Sequence, residues 1–94
     1  MARTINKAEL VDVIAQKVDL TKVGAKEALE TLLETITGAL QRRDRVQITG
    51  FGTFEARWRK PRKGRNPQTG EEAQIDGKWA PTFKAGQSLK DDVA

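Results

Sequence analysis

The chain has no cysteine and no histidine, and aromatic residues make up only 5% of its 94 positions. Without cysteine there are no disulfides, no thiolate metal ligands and no thiol nucleophile, a pattern that suits a reducing compartment. Without histidine the commonest acid–base group and the commonest metal ligand are missing as well. The remaining carboxylates and lysines fall into no recognisable catalytic spacing. No catalytic residue, metal site, cofactor or small-molecule substrate is therefore expected, and binding is favoured over enzymatic chemistry. Long apolar runs are absent too. No stretch approaches the roughly 20 apolar residues needed to cross a bilayer. The opening Met1-Ala2-Arg3-Thr4-Ile5-Asn6-Lys7 has no apolar run behind its charges, unlike a signal peptide. The expected location is the cytoplasm.

What is present is positive charge, and its placement matters more than its size. Seventeen basic residues against thirteen acidic give +4. Residues 57–65 read Arg-Trp-Arg-Lys-Pro-Arg-Lys-Gly-Arg, with six positive charges and no negative one. Outside that stretch, eleven basic and thirteen acidic residues leave a slightly acidic body. One segment carries the positive field, and a polyanion is its natural partner.

Hydrophobic patterning divides the chain into helices first and strands later. Asn6-Lys7-Ala8-Glu9 has the form of a capping box, with Asn6 as N-cap and Glu9 reaching back. Leu10, Val11, Ile14, Ala15 and Val18 follow at helical spacing, predicting a helix over about 7–18. Thr21 can cap a second helix, whose apolar set Ala25, Ala28, Leu29, Leu32, Leu33, Ile36 and Leu40 runs for nearly five turns. Arg42-Arg43-Asp44-Arg45 ends it. Val46 and Ile48 then alternate with polar residues, Gly50-Phe51-Gly52 turns the chain, and Phe54, Ala56 and Trp58 alternate again, as in a β-hairpin. After the turn-rich Arg65-Asn66-Pro67-Gln68-Thr69-Gly70 a strand is expected to return over Glu71–Trp79, closed by Pro81. Lys84–Val93 reads as a short last helix. The fold class is α+β: two helices, a three-stranded antiparallel sheet and a short helix, in a single domain over 1–94. Within it, 1–45 forms a helical dimerisation part, 46–83 a sheet with an arm at about 57–79, and 84–94 the C-terminal helix.

Two features call for partners. The long helix carries more apolar stripe than a short sheet and one small helix can cover, which favours a dimer. The hairpin over 57–79 has little to bury, and a two-stranded ribbon is marginal alone in water. It reads as an arm that orders on a polyanion. Arg57, Arg59, Lys60, Arg62, Lys63 and Arg65 can each meet a phosphate and release counterions. At the tip, Pro67 is either a simple turn-former or a rigid apolar wedge that enters between base pairs from the minor groove. Arg65 and Asn66 beside it are placed to read that groove.

These stretches resemble the bacterial histone-like HU proteins and the related integration host factor. The resemblance rests on Asn6-Lys7-Ala8-Glu9-Leu10-Val11-Asp12, Gly50-Phe51-Gly52-Thr53-Phe54, Gly64-Arg65-Asn66-Pro67-Gln68-Thr69-Gly70 and Lys84-Ala85-Gly86-Gln87-Ser88-Leu89-Lys90, and covers nearly the whole chain. It implies an intertwined dimer whose two arms embrace DNA in the nucleoid. It further implies that Pro67 intercalates, with Arg65 and Asn66 beside it in the minor groove and Gln68 also at the DNA. Arg57, Arg59, Lys60, Arg62 and Lys63 would hold the backbone. Lys7, Lys78, and Lys84 and Lys90 on the last helix would support bent DNA. The chain departs from the family pattern at Ala73, where an aliphatic residue is usual, and at Asp76-Gly77, where a proline is; a less regular returning strand is expected. Pro61 in the outgoing strand implies an edge position or a bulge. Gln87 replaces a frequent lysine.

Trp58 and Trp79 are equidistant from a fold-back point between Gln68 and Thr69, so they either pair across the arm's base or pack separately. Phe51, Phe54 and Phe83 read as core. The implied function is an architectural protein that bends and compacts duplex DNA with little sequence preference, as a homodimer or with a paralogue. A sequence-preferring bender like integration host factor and an RNA binder are the alternatives; a protein whose arms only link subunits is a third. A membrane partner is disfavoured because the arm lacks an apolar face.

Overall fold

The computed structural model describes residues 2–94. It has three helices and five strands: α1 Lys7–Lys17, α2 Lys22–Gln41, β1 Val46–Ile48, β2 Gly52–Arg59, β3 Arg62–Arg65, β4 Glu72–Ile75, β5 Lys78–Ala85 and α3 Gln87–Val93. The chain divides into two compact units, one ending at Thr37 and one spanning Gly38–Ala94. No described helix is long and apolar enough to cross a membrane.

In the first unit, local chemistry sets the helix starts. The Asn6 side chain accepts a hydrogen bond from the Glu9 amide at 3.0 Å, satisfying one of the first-turn donors that α1 cannot pair internally. The reciprocal half of the box is replaced: the Glu9 carboxylate takes the Arg3 guanidinium at 2.8 Å. Thr21 caps α2 by accepting from the Gly24 amide at 3.0 Å. The two helices meet through Val11, Ala25 and Leu29, with Ile14 and Ala15 against them. Ala25 is fully buried, where a larger side chain would force the helices apart.

This core is small. Fifteen large hydrophobic residues stay exposed among those described, Leu10, Val13, Leu32 and Leu33 on the helices included, whereas the buried apolar residues are Val11, Leu29 and two alanines, Ala25 and Ala39. Each large apolar side chain withdrawn from water contributes about 1.5–3 kcal/mol. A single copy thus leaves most of that stabilisation unrealised.

The second unit holds the end of α2, two sheets and α3. β1, β2 and β5 form an antiparallel sheet in the order β1-β2-β5, with Val46 opposite Phe54 and Phe54 opposite Phe83. Phe83 stacks on Phe54 and Phe51, with centroids 4.8 and 5.5 Å apart. The three phenylalanines do form one aromatic cluster, but Phe51 and Phe83 are left exposed in the single chain.

Three expectations are corrected here. Pro81 does not end the returning strand but sits inside β5, opposite Ala56. β5 is the edge of its sheet, where a missing donor is tolerated. Lys84 and Ala85 belong to β5, and α3 starts only at Gln87; pairing of Lys84 with Thr53 and Ala85 with Gly52 outcompetes three extra residues of a short exposed helix. Finally, the arm is not one continuous pair of strands. Lys60-Pro61 and Asp76-Gly77 are unpaired, leaving β3 and β4 as a separate two-stranded ribbon. Arg59 pairs with Lys78 below the gap and Arg62 with Ile75 above it. Two residues therefore face two residues, and no bulge shifts the register. Pro61 lacks the amide that a ladder needs, and Gly77 weakens the strand opposite.

Candidate nucleic-acid interface

The β2–β5 pair is two-faced because side chains alternate and direct partners share a side. Phe54, Ala56 and Trp58 lie with Phe83, Pro81 and Trp79 on one face, while Glu55, Arg57 and Arg59 lie with Thr82, Ala80 and Lys78 on the other. Lys84, opposite Thr53, continues the polar face. Apolar and cationic functions are thus separated by the pleat.

On the polar face, the Arg57 Nε donates to Glu55 Oε1 at 2.8 Å. That hydrogen bond holds the Glu55 carboxyl below its ordinary value; burial opposes it, and the positive charges of Arg57, Lys84 and Arg45 add to the lowering. A lowered carboxylate value means the pairing is intact above the usual carboxylate range and is lost as pH falls through the lowered value. At neutral pH Arg57 is therefore partly neutralised. Among the described residues, Arg59, Lys60, Arg62, Lys63 and Lys78 have no such acidic partner.

Above the gap, Arg62 and Gly64 share a face with Ile75 and Ala73, and Lys63 and Arg65 share the other with Gln74 and Glu72. A cleft of about 710 Å³ opens at the gap. Arg59, Lys60, Arg62 and Lys78 line it against the single acid Asp76, with Pro61, Ile75 and Ala80 as its apolar wall.

The tip is locally fixed. The Asn66 amide donates to Glu71 O at 2.8 Å and Gly70 N to Asn66 O at 2.7 Å. The Asn66 side-chain oxygen accepts from the Gln68 amide at 2.9 Å, closing an Asx-turn around Pro67. The Arg65 guanidinium donates to Gly70 O at 3.3 Å across the turn. Pro67 is left exposed at the end, and among the described residues the Asn66 side chain is engaged only through its oxygen. The remaining expected contacts are dispersed. Lys7 begins α1 in the first unit and pairs with Glu30 at 3.3 Å. Lys84 is exposed on β5 and Lys90 is exposed on α3. Gln87 opens α3 and donates to Asp91 at 2.8 Å, so it is turned to its own helix.

Glu55 and Arg43 have roles that the sequence pattern alone does not assign. The i,i+2 spacing of Glu55 and Arg57 on a strand already puts them on one face. Arg43 was read only as part of the run that ends α2.

The sequence family described as bacterial DNA-binding protein matches residues 5–94. The chain belongs to that family. Among relatives of this bacterial DNA-binding protein family, the chain is 53% identical over 89 residues to the DNA-binding protein HU-alpha of Vibrio cholerae, covering 95% of this chain and 99% of the relative. It is 48% identical over 90 residues to DNA-binding protein HU 1 of Bacillus subtilis, covering 96% and 98%. Its fold matches the HU–DNA cocrystal structure from Anabaena with a TM-score of 0.91 and 46% identity, over 96% of this chain and 98% of that one. An HU variant from Thermotoga maritima matches with a TM-score of 0.72 and 37% identity, over 96% and 100%. The matched residues include both sheets and the whole ribbon.

Proposed function

We propose that the chain is an architectural DNA-binding protein of the nucleoid, a single HU-like domain that works as a dimer and bends duplex DNA with little sequence preference. The observation that carries this is the β3–β4 ribbon: cations without acidic partners along its sides, and Pro67 held rigid and exposed at its end. The family and the DNA-bound fold of its Anabaena relative support the same reading. The exposed apolar faces of the helices and the half-covered phenylalanine cluster supply the surface for a second copy.

In this reading Arg59, Lys60, Arg62, Lys63 and Lys78 neutralise phosphates, with Lys7, Lys84 and Lys90 supporting the flanking duplex. Pro67 wedges between base pairs. Arg65, Asn66 and Gln68 lie in the minor groove, where Asn66 donates to the acceptors that every base pair presents there. Selectivity arises from how cheaply the DNA deforms, so nicked or gapped sites are preferred.

The test is fluorescence anisotropy on intact and nicked duplexes of equal length over a series of salt concentrations. The chain binds the nicked duplex more tightly, and Pro67→Ala reduces that preference about tenfold, the unstacking cost of a step being a few kcal/mol. Equal binding to both duplexes by parent and variant would leave only electrostatic attraction and make RNA the next ligand to try. A strong preference for one duplex sequence would instead favour the integration-host-factor-like alternative. A second expected outcome concerns Arg57. Glu55→Gln releases the guanidinium, tightening binding several-fold and steepening the dependence of log affinity on log salt by about 0.9 per arm. An unchanged slope would show that Arg57 does not reach a phosphate.

A further inference from the structure

Arg43 stands two residues beyond the end of α2 with φ +67, a conformation that non-glycine residues rarely adopt. Glycine would take it without cost. The arginine side chain compensates in two ways. Its Nη1 donates to Gln41 O at 3.3 Å and, beside the Arg43 amide's own bond at 3.0 Å, to Leu40 O at 3.1 Å, so the side chain ties down the last carbonyls of the helix. Its guanidinium carbon lies 4.4 Å from the Trp79 ring centroid, within range of a cation–π contact. Trp79 in turn meets Trp58 edge-on, with centroids 5.7 Å apart and planes at 60°. The two tryptophans are direct partners in the last pair but one of the ladder before the gap.

The Trp58 ring continues the chain of contacts upward. A Cβ on Gly77 would lie 2.5 Å from Trp58 Cζ2 and 2.9 Å from Pro61 Cδ, so the ring occupies the space at the gap itself. Packing therefore runs without a break from the end of α2, through Arg43, Trp79 and Trp58, to Pro61 and Gly77. The backbone ladder is interrupted at the same level. Side chains replace hydrogen bonds where the arm's direction is set.

We propose that Arg43 is a positioning residue for nucleic-acid binding, clamping the Trp79–Trp58 pair and so fixing the direction in which the arm leaves the sheet. This rests on the arm being the DNA-binding element. Arg43 itself lies on the apolar side's tryptophan, away from the face that carries Arg57, Arg59 and Lys78, and acts through the tryptophans.

Arg43→Gly is the informative variant, because glycine relieves the backbone conformation and a fold-level role would be preserved or improved. Without DNA, its near-UV circular dichroism loses the coupled-tryptophan signal and its tryptophan emission becomes more quenchable by acrylamide, while its Tm stays within a few degrees of the parent's. With a nicked duplex it binds on the order of tenfold more weakly, as expected for loss of one exposed cation–π contact per arm in a dimer. Arg43→Lys, which keeps the charge but not the planar stack, behaves like Arg43→Gly. In a double-mutant cycle, Arg43→Gly with Trp79→Leu is no weaker than Trp79→Leu alone. Multiplying losses, or full rescue by lysine, would show that Arg43 touches the nucleic acid and would overturn the positioning role. Unchanged affinity in Arg43→Gly would overturn it too. A parent chain that binds no DNA would refute the function itself and leave the DNA-free spectra to decide whether the clamp exists.

Discussion

Replacing Arg59, Arg62, Lys63 and Arg65 together by glutamine should lower affinity for duplex DNA roughly a thousandfold at about 0.1 M salt and flatten the salt dependence by about 3.6 per arm. The reasoning is electrostatic. Each phosphate neutralised releases condensed counterions, contributing a slope of about 0.9 in log affinity against log salt. None of Arg59, Arg62 and Lys63 is paired with an acid among the described residues, so no ion pair must first be broken. Arg65 holds Gly70 O only through a long 3.3 Å bond. The fold should tolerate the change, because these side chains are exposed and the ribbon's register is held by backbone pairing from Arg62–Ile75 to Arg65–Glu72. Circular dichroism should thus match the parent's while anisotropy shows the loss. A loss smaller than about tenfold with an unchanged slope would move the main phosphate contacts to the body, where Lys7, Lys84 and Lys90 lie.

How far the sequence reveals this depends on which interactions are local. The Asn6 and Thr21 caps and the apolar spacing of α2 are decided within a few residues of chain, and the structure shows them where the pattern places them. The arm's register is equally legible. A fold-back between Gln68 and Thr69 pairs Trp58 with Trp79, and the same alignment holds from Gly52–Ala85 to Arg65–Glu72. The basic run, read as one arm strand, is correctly placed but wrongly continuous. Whether a proline stops a strand depends on what lies beside it. Pro81 is harmless on an edge, whereas Pro61 falls opposite Asp76, beside Gly77, and the ladder opens. Neither neighbour is a matter of local sequence. Arg43 was illegible for a similar reason: nothing in Arg42-Arg43-Asp44-Arg45 says which arginine turns left-handed or which ring it will cover.

The largest structural effect should come from adding one methyl group at Gly52. Gly52 opens β2 opposite Ala85 and is buried, and the chain passes closely there, with the Gly86 amide donating to Phe51 O at 2.8 Å. A Cβ at this position would sit 2.5 Å from the Phe83 ring and 2.6 Å from the Lys84 carbonyl oxygen. The ring can swing, at the expense of its stacking on Phe51 and Phe54. The carbonyl cannot, because it belongs to the β5 backbone in register with β2. Gly52→Ala must therefore push β5 away or give up the ladder's first pair, at about 2–4 kcal/mol, somewhat above the usual overpacking range. For a domain of this size each kcal/mol lowers Tm by about 4–8 °C, so a drop of roughly 10–25 °C is expected in thermal unfolding at matched protein concentration. The matching is needed because a dimer's Tm depends on concentration. Gly52 lies far along the strands from the ribbon's tip, so below its lowered Tm the variant should bind duplex DNA with nearly the parent's salt slope. A Tm within 2 °C of the parent's would mean that β2 and β5 have more room at this crossing than the Lys84 carbonyl allows.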